Sequence, residues 1–207
     1  MPKISIHPSL ILLLLISLFG GFIKELCIFV VITFLHEMGH FISSKFYKIN
    51  STKITLTMLG GFIDLNNYQH LKTIPQLIIN LSGIIVNLII ILLFIVIKNN
   101  FLDNNIIVII INYNILMVIF NLLPIAPLDG YKILNTLFQM VFDEEYTKDC
   151  LYYLSLIFLV IISICLFIFK LYGYYLIVAF LFFRTIKEKR SSFKMLKQYS
   201  LFSKINY

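Results

Sequence analysis

Long apolar segments determine which folds this sequence can adopt. A helix needs roughly 20 residues to cross the hydrocarbon core of a bilayer, and several segments approach that length. Hydrophobic residues make up 60% of the 207-residue chain, more apolar surface than a water-soluble interior of this size can hide. We therefore expect an all-α polytopic membrane protein with about six transmembrane helices, at residues 10–23, 26–46, 76–97, 106–123, 151–169 and 171–183.

The first apolar segment has a second interpretation. Residues 1–21 contain one lysine followed by a leucine-rich core and small residues, as a signal peptide does, but they lack a convincing A-x-A-like cleavage site. Whether the first span is cleaved stays open, and the orientation of the remaining spans does not depend on it.

Positive residues predict the orientation of the spans. If the N-terminus is cytoplasmic, then of 17 Lys and Arg residues only Lys24, Lys98 and Lys170 lie outside, as the positive-inside rule requires. The net charge of +7 is then mainly a topology signal, and the basic cytoplasmic tail at 187–207 is expected to contact anionic lipid headgroups. We expect no nucleic-acid partner, because no aromatic-basic module accompanies the tail.

Two connections between the spans are unusual. Within residues 53–65, apolar and polar side chains alternate from residue 54 to residue 58, and Gly60 and Gly61 follow. This pattern predicts a small membrane-adjacent β-hairpin with its turn at the glycines. Residues 120–130 contain Pro124 and Pro127, which make a continuous helix unfavourable there. Irregular backbone at membrane depth is tolerated only when protein buries it or when it lines a wet cavity.

The motif HEMGH, residues 36–40, lies inside the second apolar segment. Each ionisable residue at such a depth costs about 2.5–3.5 kcal/mol even on the lenient insertion scale, so this cluster requires a bound partner. On a helix His36 and His40 project from one face, one turn apart, and both can reach a single metal ion. Glu37 can take a proton from a metal-bound water without being a ligand. The motif therefore predicts a catalytic zinc site.

A third zinc ligand is expected, because catalytic zinc sites have three protein ligands and an open position. Asp129 is the best candidate, since the span that begins at residue 106 descends to the cytoplasmic side and delivers it through the proline-stiffened turn. Asp64 and His70 are fallback ligands. The acidic run at 143–145 is expected to be a solvated surface.

HEMGH on the second span, followed by NLLPIAPLDG at residues 121–130, resembles the site-2 protease family of intramembrane zinc metalloproteases. That family's pattern is HExxH and then N-x-x-P-x-x-P-x-D-G. The resemblance implies one Zn²⁺ held by His36, His40 and Asp129, with Glu37 as general base and acid. It also implies a transmembrane metalloprotease domain at residues 1–186 that cleaves a membrane-associated protein near the cytoplasmic face.

The resemblance extends to substrate binding. The stretch SGIIVN, residues 82–87, is similar to a small-residue and asparagine motif of the family. Asn87 and Asn121 are thereby implied to hold substrate or the tetrahedral oxyanion, and the alternative for each is a buried amide hydrogen-bonded between helices. The hairpin with Gly60 and Gly61 is implied to offer an edge on which an unwound substrate adds as a strand.

The natural substrate is a finer question. Short connections leave no room for a PDZ insertion, so the chain is most similar to the compact sporulation branch of the family. This similarity implies an inactive pro-sigma factor as substrate and inhibitory or scaffolding membrane proteins as further partners. It also implies a location in the mother-cell membrane around the forespore. That branch usually continues into a nucleotide-sensing CBS domain, and here only the basic tail follows.

Two other functions compete with this one. A general site-2 protease would cleave anti-sigma factors or signal-peptide remnants. A metal-binding membrane transporter would use the histidines as part of an ion path, but it should also distribute polar residues along several spans and show repeated topology. The ionisable residues here converge at one depth, which favours catalysis.

Overall fold

A computed structural model of the chain describes residues 3–6, 8, 15, 17–49, 51–57, 60–65, 68, 71–100 and 105–205. These residues form two compact units, residues 1–121 and 122–207, which are described separately. The predicted domain boundary at residue 186 falls within the last helix of the second unit, and it stays a prediction.

The first unit contains a small sheet and three helices. Strands β1 (Lys3–Ile6), β2 (Ser51–Thr57) and β3 (Gly60–Leu65) form the sheet in the order β1-β2-β3. The helices are α1 (Ile23–Phe46), α2 (Thr73–Asn100) and α3 (Asn105–Asn121). Gly21, with φ of 75°, separates the helical residues 17–20 from α1, and Pro75 is tolerated because it lies in the first turn of α2.

The sheet departs from the sequence prediction in two respects. Strands β2 and β3 pair antiparallel within the stretch where the hairpin was expected, with Leu56 opposite Gly61 and Thr57 opposite Gly60. The two glycines are the first residues of β3, and the prediction that they form the turn is wrong, because both are paired with residues of β2. Strand β1 pairs parallel with β2, a pairing that the sequence analysis did not anticipate.

The second unit contains a loop and three helices. Residues 122–128 form the loop, which leads into α4 (Asp129–Phe138), α5 (Glu144–Ile168) and, after a short 3₁₀ helix at Tyr172–Tyr174, α6 (Tyr175–Ile205). The fourth predicted span, at 106–123, ends early at Asn121 because the prolines of the loop cannot continue a helix.

Three described helices are long and apolar enough to cross a membrane, namely α1, α2 and α5, and α3 is a shorter apolar helix. The chain is an integral membrane protein of mainly helical structure. Residues 10–14 and 16 of the predicted span at 10–23 lie outside the described residues, so the total of six spans stays a prediction.

Polar and apolar side chains are distributed as in a membrane protein. Helix α2 exposes Ile89, Leu92 and Leu93, while Asn80 and Asn87 on the same helix are 3% and 0% exposed. Without a hydrophobic driving force between helices in lipid, polar groups and small residues are what hold spans together. The buried polar side chains of the first unit therefore mark where its helices meet.

Candidate metal centre

Two buried imidazoles project from adjacent turns of α1. His36 and His40 are 1% and 8% exposed, and their Nε2 atoms lie 3.2 Å apart. Side chains four residues apart on a helix share a face, so this convergence follows from the local sequence.

The other ring nitrogen of each histidine contacts an acceptor on α2. Nδ1 of His40 lies 2.7 Å from the backbone carbonyl oxygen of Ile79. Because a carbonyl only accepts, Nδ1 carries the hydrogen and donates it. Nδ1 of His36 lies 3.3 Å from Oδ1 of Asn87, which accepts in the same way. In both rings the proton is thereby placed on Nδ1, and Nε2 presents a lone pair.

This arrangement of lone pairs fits a metal ion. Two unprotonated nitrogens 3.2 Å apart repel each other unless a proton or a cation lies between them. Nitrogens bound to one tetrahedral zinc ion at about 2.0–2.1 Å are about 3.3 Å from each other. Metal-binding histidines usually donate the second ring N–H to a carbonyl or similar acceptor, which orients the ring. The histidine pair and its two acceptors match that description.

Gly83 on α2 closes one side of the histidine pair. A Cβ atom added there would overlap Nε2 of His40 and would lie 2.7 and 2.8 Å from Cε1 and Nε2 of His36. Gly39 lies between the two histidines in the sequence of α1, and a Cβ there would meet the carbonyl oxygen of Ser82 on α2 at 2.7 Å. The sequence analysis singled out residues 82–87 as a small-residue and asparagine motif but assigned no site role to Gly83, and it assigned none to Gly39.

Glu37 follows His36 on α1 and is 6% exposed. Each residue advances about 100° around a helix, so this carboxylate lies beside the imidazoles and not between them. The first unit thus buries a carboxylate next to a pair of metal-binding groups within lipid-spanning helices.

Asp129, in the second unit, is the first residue of α4 and is 4% exposed. Its Oδ1 accepts a hydrogen bond from Nζ of Lys132, one turn later, at 2.9 Å. The N-terminus of a helix favours negative charge, so both the helix and the lysine stabilise the ionised carboxylate. His36, His40 and Asp129 are all buried and each offers one metal-binding atom.

The residues around Asp129 explain why a glycine follows it. A Cβ on Gly130 would overlap the backbone carbonyl of Leu122 and lie 2.6 Å from the carbonyl oxygen of Leu123, so only glycine allows the loop to fold back on α4.

Burial raises the pKa of Tyr131 to about 12, and the charge of Glu188 contributes less. Tyr131 is therefore uncharged at physiological pH.

The remaining predicted site residues have varied surroundings. Asn121 is 9% exposed, and its Nδ2 donates to the carbonyl oxygen of Met117 on its own helix. Asp64 lies on β3 opposite Lys53. His70 lies outside the described residues.

Three comparisons with known proteins all indicate the same protein family. A family model described as Peptidase family M50 matches residues 24–103 and 98–164. Stage IV sporulation protein FB of Bacillus subtilis (strain 168) is 24% identical over 147 residues, which are 70% of this chain and 51% of that protein. The chain thus spans about half the length of that relative.

A solved structure shares the fold. The site-2 protease from Methanocaldococcus jannaschii is 21% identical, with a TM-score of 0.73, and the match covers 91% of this chain and 92% of the other. The family match includes HEMGH in its first range and Asp129 in its second. The chain therefore belongs to peptidase family M50, the site-2 protease family of metalloproteases.

Proposed function

We propose that this protein is an intramembrane zinc metalloprotease with Zn²⁺ bound by His36, His40 and Asp129. The observation that carries the proposal is the pair of Nε2 atoms 3.2 Å apart, with both Nδ1 hydrogens directed to acceptors on α2. Family membership supports the same ligand set, since the two motifs that contain these residues both lie in the matched ranges.

Zinc, when bound, supplies Lewis acidity, which acidifies water and polarises a peptide carbonyl. Glu37 accepts the proton that the attacking water gives up and returns it to the leaving amine. Its burial at 6% exposure excludes bulk water, which would otherwise compete for that proton. The helix and Lys132 keep Asp129 ionised, and an ionised carboxylate is the form that binds a metal.

The two asparagines have separate roles in this proposal. Asn87 is fully buried and its Oδ1 faces His36, which supports orientation of that imidazole more directly than contact with substrate. Asn121 ends α3 and is proposed to hold substrate or the oxyanion. Strand β3, which carries Gly60 and Gly61, is the last strand of the described sheet and is proposed to pair with an unwound substrate segment.

The substrate we propose is a membrane-associated protein, specifically a pro-sigma factor processed during sporulation. Similarity to a stage IV sporulation protein supports this choice. We further propose six spans with both termini in the cytoplasm, which places the histidine pair toward the cytoplasmic half of α1 because Lys45 and Lys48 follow it.

Co-expression with candidate membrane-bound precursors tests the function. Glu37→Gln should abolish processing and retain zinc, because the glutamine cannot accept a proton and the ligands are unchanged. Asp129→Ala should lower zinc content, whereas Asp64→Ala should leave it intact. Undiminished processing by Glu37→Gln would exclude hydrolysis at this site, and cleavage of signal-peptide remnants but not pro-sigma factors would favour a general site-2 protease.

A further inference from the structure

The loop that precedes Asp129 has an unusual way of satisfying its backbone. Residues 122–128 contain two prolines, which donate no hydrogen bond, and Ile125 and Ala126 are 0% and 1% exposed. Buried carbonyl groups need partners, because an unsatisfied one costs the full desolvation of the group.

Alternate carbonyls of the loop use different kinds of donor. The carbonyl of Leu123 accepts from the backbone N–H of Ile125 at 2.8 Å, and the carbonyl of Ile125 accepts from that of Leu128 at 2.8 Å. The carbonyls between them, of Pro124 and Ala126, accept from side-chain hydroxyls instead.

Those hydroxyls come from two different helices. Ser155 on α5 donates through Oγ to the carbonyl oxygen of Pro124 at 3.0 Å. Thr185 on α6 donates through Oγ1 to that of Ala126 at 3.1 Å. Both side chains are buried, at 0% and 1% exposure.

Each hydroxyl is also near a carbonyl of its own helix. Oγ of Ser155 lies 2.8 Å from the oxygen of Leu151, and Oγ1 of Thr185 lies 2.9 Å from that of Leu181. A hydroxyl has one hydrogen, so each hydrogen is shared between the helix and the loop. The loop contacts are thus made by side chains that would satisfy themselves locally if the loop moved.

We propose that Ser155 and Thr185 are positioning residues that hold the loop so that Asp129 is presented as a metal ligand. This rests on the proposed function, in which Asp129 binds zinc. The two contacts lie five and three residues before Asp129, on both sides of Ile125, so together they fix the path of the backbone into α4. Gly130 against the carbonyls of Leu122 and Leu123 makes the same path sterically demanding.

The chain offers matched controls for both positions. Ser163 on α5 donates through Oγ to the carbonyl of Leu159 at 2.8 Å and has no hydrogen bond to the loop within the described residues. Ser163→Ala therefore removes the same kind of intrahelical bond as Ser155→Ala. Thr147 is 0% exposed, and its Oγ1 has no hydrogen-bond partner within the described part of the chain. Thr147→Val therefore matches Thr185→Val in shape and burial.

Zinc affinity of the purified full chain, measured by competition with a chelator, is the main readout. Ser155→Ala and Thr185→Val should each weaken zinc binding by about 10-fold, the lower end of what loss of an outer-shell partner costs. Thr185→Ser should restore the affinity, and the two control variants should leave it unchanged.

Amide hydrogen exchange of the metal-free chain provides a second readout that does not involve activity. Residues 122–128 should exchange faster in Ser155→Ala and Thr185→Val than in either control variant, because the loop has lost a tether. Equal exchange in test and control variants would overturn the proposal.

A double-mutant comparison separates this inference from the proposed function. In an Asp129→Ala background, Ser155→Ala and Thr185→Val should no longer change zinc affinity, since the ligand they position is gone. If the loss of affinity persists there in full, the hydroxyls act on something other than Asp129 and the inference is wrong. If Asp129→Ala by itself leaves zinc affinity unchanged, the proposed ligand set fails instead.

Discussion

Gly83→Ala tests whether the space beside the histidine pair is required for metal binding. The added Cβ would overlap Nε2 of His40 and would lie 2.8 Å from Nε2 of His36. That second distance is about 0.6 Å shorter than the 3.4 Å at which ordinary contact begins. The methyl group would be directed at the two atoms that are proposed to bind zinc.

The structure leaves the imidazoles little freedom to move aside. Nδ1 of His40 is bonded to the carbonyl of Ile79 at 2.7 Å, one turn before Gly83 on the same helix. A displacement of about 0.6 Å is roughly three times the 0.2 Å tolerance of metal–ligand distances. We therefore expect Gly83→Ala to weaken zinc binding at least as much as loss of an outer-shell partner, about 10–100-fold or roughly 1.4–2.8 kcal/mol.

Competition between the purified protein and a chelator of known affinity measures this effect. Gly173→Ala is the control, because a Cβ there meets nothing within 4 Å. Gly39→Ala is a second comparison, since it would press α1 against the carbonyl oxygen of Ser82. Unchanged zinc affinity in Gly83→Ala, with Gly173→Ala also unchanged, would refute the assignment of the metal site to these two nitrogens.

Further predictions concern single side chains. Asn87→Ala should weaken zinc binding about 10-fold or more, since His36 loses the acceptor of its Nδ1 hydrogen. Asn114→Ala is the control, because the amide of Asn114 donates to the carbonyl of Ile110, and an equal loss of zinc affinity in that variant would contradict the prediction. Thr147→Val should raise the midpoint of thermal unfolding in detergent. The buried hydroxyl of Thr147 lacks a hydrogen-bond partner within the described residues, and such a group costs about 1–3 kcal/mol. A lower midpoint would contradict this prediction. Lys48→Gly and Lys170→Gly should each stabilise the protein by about 0.5–1 kcal/mol. Both residues have positive φ, 59° and 56°, where a side chain costs about 1–2 kcal/mol, and the larger conformational entropy of glycine in the unfolded chain offsets part of the gain. Equilibrium unfolding checks this pair, and no gain at either position would show that other contacts compensate for the backbone strain.

The two lysines at positive φ show how far local sequence can mislead. In each case the end of the preceding helix has the paired hydrogen bonds of a Schellman motif. At the end of α1 the N–H of Lys48 donates to the carbonyl of Lys45 and the N–H of Ile49 to that of Ser44. Glycine usually occupies this position, so lysine gave no signal that α1 ends there. The Gly60-Gly61 pair had the opposite effect, since it resembled a turn but lies in a strand.

Sequence alone determined the membrane location and the histidine pair. Both depend on local properties, namely the length of apolar runs and the angular spacing of residues 36 and 40 on one helix, and neither requires knowledge of what packs against that helix. The prolines before Asp129 were also sufficient to predict irregular backbone there, because proline restricts its own residue and its immediate neighbours.

Tertiary structure decided which groups surround those residues. The acceptors of the imidazole hydrogens, Ile79 and Asn87, come from another helix, as do the hydroxyls of Ser155 and Thr185 that reach the loop before Asp129. Such partners are separated by 30 to 60 residues in the chain, and no periodicity of a single sequence states which turns of two helices will face each other. The physical reason is that helical geometry is set by neighbouring residues, whereas the tautomer of a histidine and the path of a buried loop are set by whatever acceptor or donor the fold brings to them.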